Sequence, residues 1–367
     1  MTRLMCRECG TATPASDPIS RCRCGGLLTL ESDAHLSLDR LTERQPSLWR
    51  YREAIPIEHD EHIVSFGEGY TPIVSGSLNG KPVLLKLEYL SPSGSFKDRG
   101  STVLVSKLVE WSVEALVEDS SGNGGVSLAT YGARAGLRCT VYVPEWSPSA
   151  KVLQMERVGA RVVKIAGSRH DVEQAAREAC ESGDPTGNPF YAGHNWSPYF
   201  LEGTKTFAYE VAEQLDWKVP DVILFPVGNG SLLLGSYTGF GDLMNLGIVG
   251  RMPKLVGIQP EHCGPIVEAF EKGVDHADPV AAAPTVAKGT SIPDPPRGRW
   301  ILEAVRRSGG MMMSVSENEI VEAMNTLHRG GYFIEPTSAV AVAGLKKYVA
   351  GFTEESILVP LTGRALS

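Results

Sequence analysis

Ala115-Leu116-Val117-Glu118-Asp119-Ser120-Ser121-Gly122-Asn123-Gly124-Gly125-Val126 passes from an apolar, strand-like run through a serine- and glycine-rich turn into a stretch with helical spacing, Ser127 to Ala135. The same order recurs along most of the chain. Further strand-like runs are Val83 to Leu87, Thr140 to Val143, Arg161 to Ile165, Val222 to Phe225, Leu255 to Ile258 and Ile357 to Val359. Helical spacing returns in Val172 to Cys180 and Glu202 to Leu215, and Ser316 to Glu319 has the Ser-x-x-Glu form of a capping box. Such alternation predicts an α/β fold, with parallel sheets covered by helices on both faces. Ala281 to Arg299, rich in proline and glycine, reads as a long loop or flap.

The totals bound what this fold is used for. At 367 residues, 42% of them hydrophobic, the chain buries a substantial core without staples. Its net charge of −8 argues against nucleic acid as the main partner, because phosphate backbones require a basic face. No run approaches the roughly 20 apolar residues of a membrane span, and the first residues lack the apolar core of a signal peptide. The expectation is a cytoplasmic protein, and the seven cysteines agree, since four crowd into the first 24 residues and do not spread as a disulfide framework would.

Those four are Cys6-x-x-Cys9-Gly10 and Cys22-Arg23-Cys24-Gly25, two paired-cysteine turns each followed by glycine. This pattern suits a tetrahedral thiolate site for structural zinc, although the second pair has one intervening residue in place of the usual two. The alternative is a reduced surface hairpin. Four thiolates would leave zinc no open position for catalysis.

In doubly wound sheets ligands bind where strands end and helices begin. Three turns lie at such junctions. Ser91-Pro92-Ser93-Gly94-Ser95-Phe96-Lys97-Asp98-Arg99-Gly100 opens a helix near Asp98, and the positive end of a helix dipole favours the neutral amine that Schiff-base chemistry needs. Taken alone, Lys97 would be read as a solvated lysine on a turn. Around Gly122, the amides, Ser120 and Ser121 make a nest for a carboxylate. Val227-Gly228-Asn229-Gly230-Ser231-Leu232 offers amides to a phosphate. This last turn is no Walker loop, since no Lys-Ser/Thr follows it, and no dinucleotide fingerprint, since Leu233 stands at the last glycine's place.

Taken in order, these turns resemble the motifs of the fold-type II pyridoxal-phosphate enzymes, within them the threonine synthase group. Ser93 to Gly100 is similar to the group's lysine motif, Ser121-Gly122-Asn123 to its carboxylate loop and Val227 to Gly230 to its phosphate loop. Glu202-Gly203-Thr204-Lys205-Thr206, Glu335-Pro336-Thr337-Ser338-Ala339 and Leu361-Thr362-Gly363 also fall at matching places, and the likeness runs from about Thr71 onward. The resemblance implies two three-layer domains with twisted, mostly parallel sheets, besides the N-terminal zinc-ribbon-like segment, residues 1–30. Residues 31–98 and 195–367 would form the large cofactor domain, and 99–194 a small mobile domain.

It also implies pyridoxal 5'-phosphate carried on Lys97, a small amino-acid substrate and a homodimer. Asn123 would bond the cofactor's ring oxygen. Val227, Gly228, Asn229, Gly230, Ser231 and Leu232 would hold its phosphate, Thr362 would face the pyridine nitrogen, and Phe96 would pack nearby. Ser95, Ser120, Ser121, Gly122 and Gly124 would take the substrate, together with His194 and Asn195.

Two departures bear on the substrate. Gly124 stands where relatives usually carry threonine or another hydroxyl or small residue. The segment Asn-Ser-x-Asn-Pro-x-Arg, which helps the relatives bind a substrate phosphate, is replaced by His194-Asn195-Trp196-Ser197-Pro198-Tyr199-Phe200. Phenylalanine offers nothing equivalent to a bidentate arginine. Trp196 and Tyr199 would narrow the pocket or simply repack its wall. Three readings remain open: threonine formation from O-phosphohomoserine; elimination or replacement at Cβ of serine, threonine or O-phosphoserine; and a non-catalytic relative that keeps the fold.

Overall fold

The structure is a computed structural model that describes residues 2–78, 80–181, 189–351 and 356–365. The chain divides into two compact units, Met1–Glu68 with Lys97–Thr204, and Gly69–Phe96 with Lys205–Ser367.

In the first unit a four-stranded parallel sheet runs in the order Arg161–Ile165, Arg138–Pro144, Ala115–Glu118, Phe190–Tyr191. Ala115–Glu118 is buried at every position, as a strand covered on both faces must be. The helix Lys97–Glu110 is buried without a break from Asp98 to Leu108 and packs on the helix Asn123–Arg134. Its approach to the helix that starts at Pro198 is close enough to exclude side chains. A β-carbon on Gly203 would lie 1.9 Å from the Arg99 carbonyl oxygen, and one on Gly100 would lie 2.5 Å from the Phe200 ring. An antiparallel ribbon, with Arg3–Cys6 between Ala12–Pro14 and Leu28–Glu31, belongs to the same unit. Residues 31–68 cluster here too, and Leu48, Ile55 and Ile57 share a core with Val103 and Leu104. The motif spacing groups that segment with the cofactor domain.

In the second unit six strands run in the order Met311–Val315, Lys254–Pro260, Val222–Pro226, Ile357–Pro360, Lys81–Lys86, Ile73–Leu78, and only the last pair is antiparallel. Val222, Leu224, Val256, Ile258 and Val359 form a core with Val340 and Leu345 of the helix Pro336–Gly351. The strands expected from β-branched runs all form. Outside the ribbon three others lack such a run: Ile73–Leu78 is broken by Ser75, Gly76 and Ser77, Met311–Val315 opens on three methionines, and Phe190–Tyr191 is too short to show a period. The capping box at Ser316 is present on both sides, with the Ser316 main-chain N–H donating to Glu319 and the Glu319 N–H to the Ser316 hydroxyl.

Replacing Gly203 by alanine should lower stability by about 2–3 kcal/mol, because its β-carbon meets backbone that has no rotamer to yield. Urea unfolding followed by tryptophan fluorescence checks this, and an unchanged midpoint would show that the two helices can part at no cost.

Candidate active site

In the second unit the strand Val222–Pro226 ends in Val227-Gly228-Asn229-Gly230, and the helix Ser231–Asn245 begins there. The main chain of Val227 is tied to the neighbouring strand by a 2.8 Å bond to the Ile258 carbonyl. Gly230 is the N-cap, with φ of 67° and no side chain to cap the helix, so the turn meets the helix N-terminus, the end whose amides favour an anion, without a capping side chain in the way. A β-carbon on Gly228 would lie 2.8 Å from the Gly289 carbonyl oxygen, so the cradle is lined by backbone. Asn229 Oδ1 is buried with no hydrogen-bond partner among the described residues. Main-chain amides at a helix N-terminus, with backbone in place of side chains around them, fit the phosphate end of a cofactor.

The expected flap is packed onto this turn. Within it Lys288–Thr290 forms a short helical turn, and Gly289 donates its N–H to Thr337 Oγ1 at 3.2 Å. Next to Thr337, the Ser338 hydroxyl lies 3.1 Å from that of Thr362, accepts from the Gly363 N–H at 2.8 Å and donates to the Gly363 carbonyl at 3.0 Å. Ser338 therefore fixes the side chain expected to face a pyridine nitrogen. Phe96 N–H donates to the Thr362 carbonyl at 3.0 Å, and Arg364 N–H to the Gly94 carbonyl at 2.9 Å. The Ser95 hydroxyl, wholly buried beside them, has no partner among the described residues.

In the first unit Lys97 is the first residue of its helix. Its Nζ stands 5.5 Å from the centre of the buried Phe200 ring, which lies 5.2 Å from the ring of His194. His194 is buried, with Nδ1 2.8 Å from Glu118 Oε1 and its main-chain N–H donating to Glu118 Oε2 at 3.2 Å. The turn at Ser120–Gly124 leads into its helix through Gly122, again an N-cap without a side chain, and Ser120 Oγ accepts from the Gly122 N–H. Lys151 donates to Asn123 Oδ1, which fixes the amide of Asn123. Ser121 is buried in the same turn. Asn195 Oδ1 is buried with no partner among the described residues. Two of the aromatic residues in the 194–200 segment have other duties. Tyr199 packs edge-on against Trp111 in the core, and Trp196 carries the Arg21 guanidinium 3.6 Å above its ring.

Burial pushes the Glu118 carboxyl up to about 8, against the pull of its bond from the His194 N–H and the charge of Lys97. Asp119 is raised to about 7, first by burial and then by Glu118 beside it. Glu118 and Lys151 carry no motif signal, and Ser338 lies in a matching motif without being singled out. Only the placement of two acids at the end of a strand leading into a ligand turn could have pointed to Glu118.

The ribbon gathers Cys6, Cys9, Cys22 and Cys24 with all four Sγ atoms within 4.8 Å of one another. Sulfur pairs lie at 3.5 Å for Cys6 and Cys24 and 3.6 Å for Cys9 and Cys22, and Gly26 N–H points at Cys24 Sγ. The Cys9 thiol is held down to about 6, chiefly by its bonds to Thr11.

Each unit thus carries motifs of a pyridoxal-phosphate enzyme, the first a lysine opening a helix and an amide nest at a second helix, the second a glycine turn at a helix N-terminus. The chain belongs to the pyridoxal-phosphate dependent enzyme family, whose model matches residues 64–363. Among curated proteins it is 37% identical to the threonine synthase of Methanocaldococcus jannaschii, over 96% of this chain and 88% of that one. It is also 37% identical to the threonine synthase of Methanosarcina acetivorans, over 95% and 87% respectively. Among solved structures it resembles a pyridoxal 5'-phosphate-dependent aspartate racemase, with a TM-score of 0.69 and 25% identity over 81% of this chain and 91% of that one. The protein is a pyridoxal-phosphate-dependent lyase of the threonine synthase-like group. No helix among the described residues is long and apolar enough to cross a membrane.

The two raised carboxyls set a pH dependence. A group whose folded pKa lies above its unfolded value contributes stability that is full below the unfolded pKa and is lost as pH rises through the folded one. Glu118 and Asp119 should therefore withdraw stability as pH climbs from the ordinary carboxylate range to about 8. Melting temperatures across that range should fall less steeply for Asp119→Asn than for the parent protein. Parallel curves would mean that Asp119 is ionised throughout.

Proposed function

We propose that this lyase converts O-phospho-L-homoserine and water into L-threonine and inorganic phosphate. The reading rests on the glycine turn Gly228–Leu232, whose main-chain amides at a helix N-terminus suit a cofactor phosphate, and on relatives that are threonine synthases by name. Bound to Lys97, pyridoxal phosphate supplies an electron sink for charge developing at the substrate's α-carbon. Thr362, held by Ser338, would offer a pyridine nitrogen a hydroxyl in place of a carboxylate, and the cofactor would then be a milder sink suited to elimination and replacement. Lys97 carries protons at the α-carbon. Asn123, steadied by Lys151, orients the ring oxygen, while Ser95, Ser120, Ser121 and the amides of Gly122 and Gly124 receive the substrate carboxylate.

A second reading places the chemistry at Cβ of serine, threonine or O-phosphoserine. Phe200 favours it, because this buried ring brings no positive charge to a phosphate dianion. Purified enzyme offered O-phospho-L-homoserine should release phosphate and threonine in equal amounts. No release, with ammonia formed from serine or O-phosphoserine, would move the reaction to Cβ. In either case Lys97→Ala should lose both the visible absorbance of the cofactor and turnover.

The ribbon is read as a structural zinc site. Four thiolates around zinc at about 2.3 Å place their sulfurs roughly 3.8 Å apart, close to the pair distances here. Elemental analysis should give about one zinc per chain, and a chelator should lower the melting temperature. Metal-free protein with an unaltered melt would leave a reduced hairpin. A homodimer in the cytoplasm, where the thiols stay reduced, completes the reading.

A further inference from the structure

Glu118 ends a strand whose four residues are all buried, two positions before the turn that receives the substrate carboxylate. Both its oxygens are taken up by one residue. Oε1 lies 2.8 Å from the ring Nδ1 of His194, and Oε2 accepts the His194 main-chain N–H. One carboxylate thus fixes the backbone at 194 and the direction of the ring.

The ring is confined on its other sides as well. Phe200 stands 5.2 Å away and is itself admitted by the bare α-carbon of Gly100. In front lies Gly124, where a β-carbon would come within 2.6 Å of His194 Cε1, 2.9 Å of Nδ1 and 3.0 Å of Ser120 Oγ. Imidazole and substrate turn are therefore in direct contact only because residue 124 has no side chain. An apolar side chain would fill this space without burying a carboxylate, whose desolvation is expensive unless it is paired. A polar group retained at such expense beside a ligand turn, in reach of the Lys97–Phe200 pair, is placed for recognition.

We infer that Glu118 is a positioning residue for His194 and that Gly124 is the opening that admits it, the three forming the part of the site that holds the side-chain oxygen of the amino-acid substrate. The inference rests on Lys97 being the cofactor lysine. It takes in both candidate leaving groups, a phosphate ester and a hydroxyl, since each presents an oxygen to the imidazole.

The test is a mutant cycle on the cofactor-loaded enzyme, with KM and kcat measured for O-phospho-L-homoserine and L-serine. His194→Ala, Glu118→Ala and Gly124→Ala should each raise KM about 10-fold or more while leaving the visible cofactor absorbance in place. Glu118→Gln keeps an oxygen for the ring and should recover most of the loss. The Glu118→Ala/His194→Ala double variant should be no worse than His194→Ala alone, because the carboxylate acts through the ring. Should Glu118→Ala not fold, Glu118→Gln and Gly124→Ala carry the same comparison. Additive penalties, or melting temperatures that fall with KM unchanged, would overturn the inference and leave Glu118 a structural residue. Wild-type enzyme without cofactor absorbance, or without turnover of either amino acid, would sink the functional reading and this inference together, and is seen before any variant is made.

Discussion

The site depends on how the segment before Lys97 is fastened to the C-terminal end of the chain. Phe96 and Gly94 exchange main-chain hydrogen bonds with Thr362 and Arg364, and Glu335 N–H donates to the Gly363 carbonyl from the other side. These bonds are short, buried and mostly backbone to backbone, so they tolerate little drift. They set the residue immediately before the lysine against the residue expected to face the cofactor's nitrogen. Ser338, bonded to Thr362 and to both main-chain groups of Gly363, ties the helix Pro336–Gly351 into the same knot. Its neighbour Thr337 reaches Gly289, and Gly289 closes over Gly228 at the phosphate cradle. Three segments far apart in sequence are thereby held in one register, as a cofactor gripped at two ends requires.

The first unit meets a similar demand with charge. A buried carboxyl group has to find partners inside the protein, and Glu118 finds the ring Nδ1 and the main-chain N–H of His194 among its own. The two departures from the family pattern, glycine at 124 and phenylalanine at 200, then belong to one arrangement, since each touches the histidine that replaces the usual asparagine. Replacing any one of them alone would leave a clash or a cavity. This coupling makes the segment 194–200 a poor place to judge residue by residue.

Much of this was legible in the sequence because backbone-driven features leave local marks. The strands Arg161–Ile165 and Val222–Pro226 announce themselves by β-branched runs, and the helices after Gly122 and Gly230 by glycine turns that no ordinary loop needs. Lys97, the turn Val227–Gly230 and Thr362 were singled out only by the order of motifs that resembles the family, and their roles stand as expectations. Side-chain partnerships between distant residues leave no such mark. Nothing local joins Ser338 to Thr362 across 24 positions, or Glu118 to His194 across 76. Tyr199 illustrates the opposite error: an aromatic residue in a candidate binding segment is spent on Trp111 and the core. The Pro- and Gly-rich stretch 281–299 read as a flap because composition reports turns and is silent on packing, yet Thr290 is fully buried in it.

Phe200 bears most directly on which reaction the chain runs. A positive charge at that position would have to lie beside Gly100, within reach of Lys97, where like charges make the lysine easier to deprotonate and a dianion easier to bind. The phenyl ring removes that charge and offers Lys97 the face of a π system 5.5 Å away. Cations near this turn include Lys97 and Arg169, which pull on Glu118, and Lys151 on Asn123, while His194 and Glu118 form a buried hydrogen-bonded pair. A neutral hydrogen-bonding pair discriminates by the position of an oxygen more than by its charge, whereas an arginine rewards charge above all. Phe200 and His194 are therefore the two positions at which recognition by charge and recognition by geometry part ways.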